Sequence, residues 1–173
     1  MNPADKSDKL LKIIVILGVL LVLFFGLQFA SGNKSENTTV SLAKIAARQE
    51  ELIRLAEEAD KFSDGFTVSK VTTEAQILLR SSLNDLTKDY AIAKLEKEQL
   101  AEFTVSGSKD TLESASKEDR FTEEFVALYG EQLNKQQAAI QDLYKSTSNA
   151  QLKASLEKAS EYLNTISEQL EKL

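Results

Sequence analysis

The stretch QLKASLEKASEYLNTISEQLEKL, residues 151–173, places Leu152, Leu156, Ala159, Leu163, Ile166, Leu170 and Leu173 at alternating steps of four and three. That spacing keeps one apolar stripe on one side of an α-helix, with Glu, Lys, Ser and Asn filling the remainder. A two-stranded coiled coil would show the same spacing, so period alone does not identify the partner of the stripe. The flanking sequence does. Ser148-x-x-Gln151 has the form of a capping box opening this helix, and the few residues from Ser146 to Ser148 leave room only for a tight turn from the helix before it.

That preceding helix is expected over residues 117–146, with Phe121, Phe125, Leu128, Gln132, Gln136, Ala139 and Leu143 inward and Leu133 and Ile140 beside them. Gly130 interrupts it at a cost of about 1 kcal/mol relative to alanine. Further upstream, Leu42, Ile45, Gln49, Leu52, Ala56 and Ala59, widened by Ala46 and Ile53, predict a helix over residues 40–62 that stops at Ser63-Asp64-Gly65. A second pattern, Val68, Thr72, Ala75, Leu79, Leu83, Leu86, Tyr90, Ala93, Lys97 and Leu100, predicts a helix running from residue 68 to about 103, its charged last turns protruding or fraying. Thr104 to Ser116 breaks the period around Gly107, with Asp110-x-x-Glu113 suggesting one short helical turn. Its thirteen residues could span about 43 Å if extended, compatible with either a ferritin-type crossover or an ordinary hairpin loop. Two helical hairpins joined by a longer link predict an all-α fold: an antiparallel four-helix bundle over residues 40–173, ferritin-like or up-down in topology.

Ahead of it lies KIIVILGVLLVLFFGLQFASG, residues 12–32. Residues 13–30 give 18 positions, about 27 Å of helix, against a hydrocarbon core of about 30 Å. The side chains expected in lipid are Ile13, Ile14, Val15, Ile16, Leu17, Leu20, Leu21, Leu23, Phe24, Phe25 and Leu27. A retained transmembrane anchor is the leading reading. A cleaved leader is the rival, because Ala30-Ser31-Gly32 offers a small-x-small site before Asn33. Lys6, Lys9 and Lys12 precede the run and only Lys34 follows closely, so residues 1–12 are expected in the cytoplasm and the bundle outside it. Residues 31–39 form a polar hinge. Its Asn33-Lys34-Ser35 and Asn37-Thr38-Thr39 match the glycosylation pattern, which carries little information in a run so rich in these residues.

Composition narrows function mainly by exclusion. Removing the three Lys and two Asp before the apolar run from 21 basic and 27 acidic residues leaves 18 against 25, a net of minus seven. Such a surface disfavours nucleic acid as a partner. There is no cysteine, histidine or tryptophan, which removes disulfides, thiolate metal sites and the commonest acid-base group together. Helical bundles often hold two metals between Glu and Glu-x-x-His motifs, and without histidine that set cannot be assembled. Glu50-Glu51, Glu57-Glu58 and Glu123-Glu124 are therefore read as solvated surface, and no catalytic, cofactor or metal residue is assigned. Gln49, Gln132 and Gln136 interrupt apolar faces as register-fixing polar residues or the lining of a small-ligand pocket. Tyr90, Tyr129, Tyr144 and Tyr162 are expected to bury their rings and leave their hydroxyls in water.

The segment KEDRFTEEFVALYGEQLNKQQAAIQDLYKSTSNAQLKASLEKASEYLNTISEQL resembles the second half of a bacterial family of exported, ferritin-like four-helix domains of unknown function. The likeness lies in the aromatic opening at Phe121 and Phe125, the IQDLYKSTSNAQLK transition and the Leu-rich last helix. Residues before it fit the family's first hairpin less well. The resemblance implies fold and location; the histidines that the family carries on its third and fourth helices are missing here, so it implies no metal or catalytic residue. The reading that follows is a membrane-anchored cell-envelope module that binds or scaffolds a protein partner without catalysis. The alternatives are a small-ligand sensor ectodomain and a degenerate ferritin-like protein that has lost its metal site.

Overall fold

In the computed structural model, α1 (Thr38–Phe62), α2 (Phe66–Lys88), α5 (Phe121–Ser146) and α6 (Ala150–Leu170) are long helices; α3 (Lys97–Ala101) and α4 (Ser108–Lys117) are short ones within the link between α2 and α5. The structure describes residues 38–173 apart from 64, 89, 91 and 93, and among the described residues there is no strand. The expected anchor at residues 13–30, the hinge through Asn37, and Asp64 and Ala93 of the sequence patterns lie outside the described residues. None of the described helices is long and apolar enough to cross a membrane.

The four long helices pack as a ring, α1 against α2, α2 against α6, α6 against α5 and α5 against α1. One apolar core runs through it, built from Ile45, Leu52 and Ala56 of α1, Ala75, Leu79 and Leu86 of α2, Phe125, Tyr129 and Ile140 of α5 and Leu156, Leu163 and Ile166 of α6. Every apolar position of the α6 stripe from Leu152 to Leu170 is buried, as its spacing requires.

The path between α2 and α5 sets the topology. Leu95 and Phe103 bury against Ala43 near the start of α1, the Val105 amide donates to Glu51 Oε1 at 2.8 Å halfway along, and Ser116 Oγ donates to the Phe62 carbonyl at its end, 2.9 Å. The link thus climbs the whole outer side of α1. It delivers the chain to the end where α1 finished, so α5 descends beside α1 and places Gln136 against Ile45. Neighbouring helices in the ring are antiparallel, while α2 and α5, on opposite corners, run the same way. A tight hairpin loop between them is excluded.

Three local expectations are corrected. The second helix ends at Lys88, not near residue 103: no glycine or proline stops it, but Leu95 and Phe103 leave water only by turning back over α1, and that burial outweighs continued helix propensity. The segment after Gly107 forms ten residues of helix in place of a single turn, because Leu112 and Ala115 are buried from it. The last helix is capped by Asn149, not by a box on Ser148: Asn149 Oδ1 accepts from the amides of Gln151 and Leu152, both at 3.0 Å. Asn149→Ala therefore costs about 1 kcal/mol, read as a shift in the urea midpoint with an unchanged slope.

Candidate functional site

Two polar clusters interrupt the apolar packing, and both involve α1. The inner one joins three helices. Gln49 Nε2 donates to the Leu79 carbonyl at 3.0 Å, while Gln136 Nε2 donates to the Ile45 carbonyl at 3.1 Å and to Gln49 Oε1 at 3.3 Å. Both glutamines are essentially inaccessible, whereas Gln132 is only half-buried. The two inner side chains are turned toward each other and toward helix carbonyls. That arrangement fixes the heights of α1, α2 and α5 relative to one another, and the register-fixing expectation describes it better than a ligand pocket does.

The outer cluster fastens the link to α1. Arg54 Nε donates to Glu51 Oε2 at 2.7 Å, with a second bond from Nη2 to Oε1 making the pair bidentate. Nη1 bonds Glu58, Nη2 reaches Ser108 Oγ at 3.1 Å, and Ser108 Oγ donates to Glu58 Oε2 at 2.9 Å. The hydrogen bonds that Arg54 donates to Glu51 have the largest effect and, with the charges of Glu51 and Glu58, hold the Arg54 proton more tightly than usual; burial, second in size, opposes them. The expectation of a solvated Glu50-Glu51 pair is thus corrected at Glu51, only 8% exposed because the link lies over it. Glu58 is likewise half-buried. Spacing of Glu51, Arg54 and Glu58 at three and four residues was the signal available in the sequence.

Tyr129 departs most from expectation. Its ring lies 5.1 Å from that of Phe125, which stacks in turn on Phe121 at 6.0 Å, and the residue is wholly buried. Its hydroxyl is inside the core and makes no hydrogen bond to protein; Tyr144, by contrast, donates to Glu157 at 2.6 Å on the exposed side. Burial pushes the Tyr129 phenol well above the ordinary value of about 10. Folding then retains a proton that the unfolded chain gives up, so this contribution to stability is complete below about pH 10 and is lost as the pH rises beyond it. Absorbance titration should find that Tyr129 ionises only as the helices melt, and Tyr129→Phe should remove that late step while leaving stability equal or up to about 2 kcal/mol higher.

No group of three acidic side chains is placed to hold a metal ion among the described residues. Two of the surface depressions are open grooves, one between α1 and α2 lined by Glu50, Ile53, Arg80, Leu83, Asn84 and Thr87, and one lined by residues of α4, Arg120 and Glu124. Arg80 also pairs with Glu57.

Comparison with protein-family models, with curated proteins and with solved structures finds no match to this chain. The functional reading therefore rests on residues and geometry.

Proposed function

We propose that this chain is a single-pass cell-envelope protein: the apolar run of residues 13–30 holds it in the membrane, and its acidic, ferritin-like four-helix bundle stands outside the cytoplasm as a non-catalytic binding or scaffolding module for a protein partner. The observation that carries the reading is the apolar run of residues 13–30, polar only at Gln28, with Lys6, Lys9 and Lys12 on its amino side, which comes close to the thickness and follows the charge rule of a bilayer span. Support for the ferritin-like class comes from the link that climbs α1 and sets α2 and α5 in the same direction, the connection such bundles use. Support for a non-catalytic role comes from what occupies the interior: paired glutamines bonded to each other and to backbone, and an aromatic ladder whose one hydroxyl is sealed from solvent.

The test is the intact mass of the protein isolated from membranes, together with its behaviour on alkaline extraction. A chain that retains Met1 and stays with the membrane is the expected result. A mass beginning at Asn33, with release into the soluble fraction, would replace the anchor by a cleaved leader.

A further inference from the structure

The outer side of α2 differs in charge from the rest of the domain. Its exposed positions include Lys70, Arg80 and Lys88 and no carboxylate, since Glu74 and Asp85 are half-buried. With about 100° of turn per residue, Phe66, Lys70, Ile77, Asn84 and Lys88 fall within roughly 40° of one line down the helix. Phe66 is 84% exposed and Ile77 62%, the two most exposed large apolar side chains described. Alongside runs α6, antiparallel to α2 and tied to it by Lys158 and Asp85 at 2.6 Å. Its outermost line is Ala150, Ala154, Glu161 and Glu168, again within roughly 40°. Lys70, Lys88, Glu161 and Glu168 make no ion pair among the described residues, so two cations and two anions stand unmatched on adjacent helices of one face.

We propose that this face is self-complementary and binds a second copy of the chain, each copy's α2 lying on its partner's α6 about a twofold axis parallel to the helices. Such an axis exchanges α2 with α6 while keeping each at its own height, so it brings unlike stripes together twice. Lys70 and Glu168 both lie toward the end of the ring where α1 turns into α2, and they meet across the axis. At the opposite end Lys88 passes over the small side chains of Ala150 and Ala154, while Ile77 leaves water between the two lysines and Phe66 leaves it one turn beyond Lys70. Elsewhere the outside of a domain carrying net minus seven repels a second copy; the cationic line of α2 is where two copies can approach. Two adjacent helices about 32 Å long present roughly 650 Å² per copy, close to the ~800 Å² of an ordinary specific interface.

The full chain in detergent, examined by sedimentation, tests this through a charge exchange. Lys70→Glu and Glu168→Lys are both at exposed positions and are expected each to weaken the dimer by about tenfold or more, with far-ultraviolet dichroism unchanged. Mixing the two variants should restore it, because one of the two contacts is then native and the other reversed in sign on both sides. Zero-length carbodiimide coupling should join Lys70 of one isotope-labelled copy to Glu168 of an unlabelled one. A chain monomeric at every concentration would overturn the proposal, as would variants that dimerise like the parent through some other segment. Loss of binding to vesicles of anionic phospholipid in Lys70→Glu, with the dimer unaltered, would assign the stripe to a lipid surface and overturn it equally.

Discussion

Phe125→Ala lowers the stability of the helical unit by about 3–5 kcal/mol, the largest effect expected from any single truncation in this chain. Phe125 has no accessible surface and is sandwiched on α5 between Phe121 and Tyr129. Its removal deletes the middle ring of a three-ring stack and opens a cavity that helices pinned at Gln49 and Gln136 cannot collapse to fill. Phe125→Leu keeps most of the volume and should cost less than about 2 kcal/mol. Equilibrium urea unfolding followed by dichroism checks both numbers. A loss below about 1 kcal/mol for the alanine variant would place the aromatic ladder outside the core.

Glu51→Ala is expected to cost about 1–3 kcal/mol. Its carboxylate takes the Val105 amide and both arms of the Arg54 fork, so the change leaves a covered amide and a guanidinium without their partner. Loss of one member of a buried pair costs about 3–5 kcal/mol; Arg54 is 36% exposed, and water screening of that charge lowers the figure. Glu51→Gln keeps one acceptor for Val105 and should lose about half as much. The distinguishing readout is local. Amide exchange over residues 103–117 should accelerate well beyond that of α6, because the link is what the cluster fastens down. Uniform acceleration across all helices would mean that the link and the ring melt as one unit and that the cluster has no separate role.

These two residues also show how much of the fold could be read ahead of the structure. Helices whose neighbours lie mainly to one side, such as α6, bury one stripe, and the spacing of Leu152 to Leu170 is enough to identify it. By contrast, α1 is enclosed by α2, α5 and the climbing link, so Ala43, Glu51 and Leu55 are buried in addition to its expected stripe. Nothing in the local sequence announces that a segment fifty residues later will cover them. The end of α2 was illegible for the same reason: residues 89–103 contain no breaker, and only the long-range burial of Leu95 and Phe103 stops the helix. On α5 the inward face passes through Tyr129 and Leu133, while Leu128 and Gln132 are half-buried. Both sets satisfy a helical period, and a tyrosine that is as suited to a wet margin as to a core cannot decide between them. The inner glutamines were legible as polar interruptions; that they bond to each other across 87 residues of chain was not.

The claim on which the account depends is that the bundle stands outside the membrane while the first residues stay within the cell. A chain without cysteine makes that directly measurable: Asn164→Cys, at an exposed position of α6, and Ser7→Cys, ahead of the apolar run, are each treated in intact cells with a membrane-impermeant maleimide. The account predicts labelling at position 164 in intact cells and at position 7 only after permeabilisation. Labelling at 7 but not at 164, or at neither until the cells are opened, would contradict it.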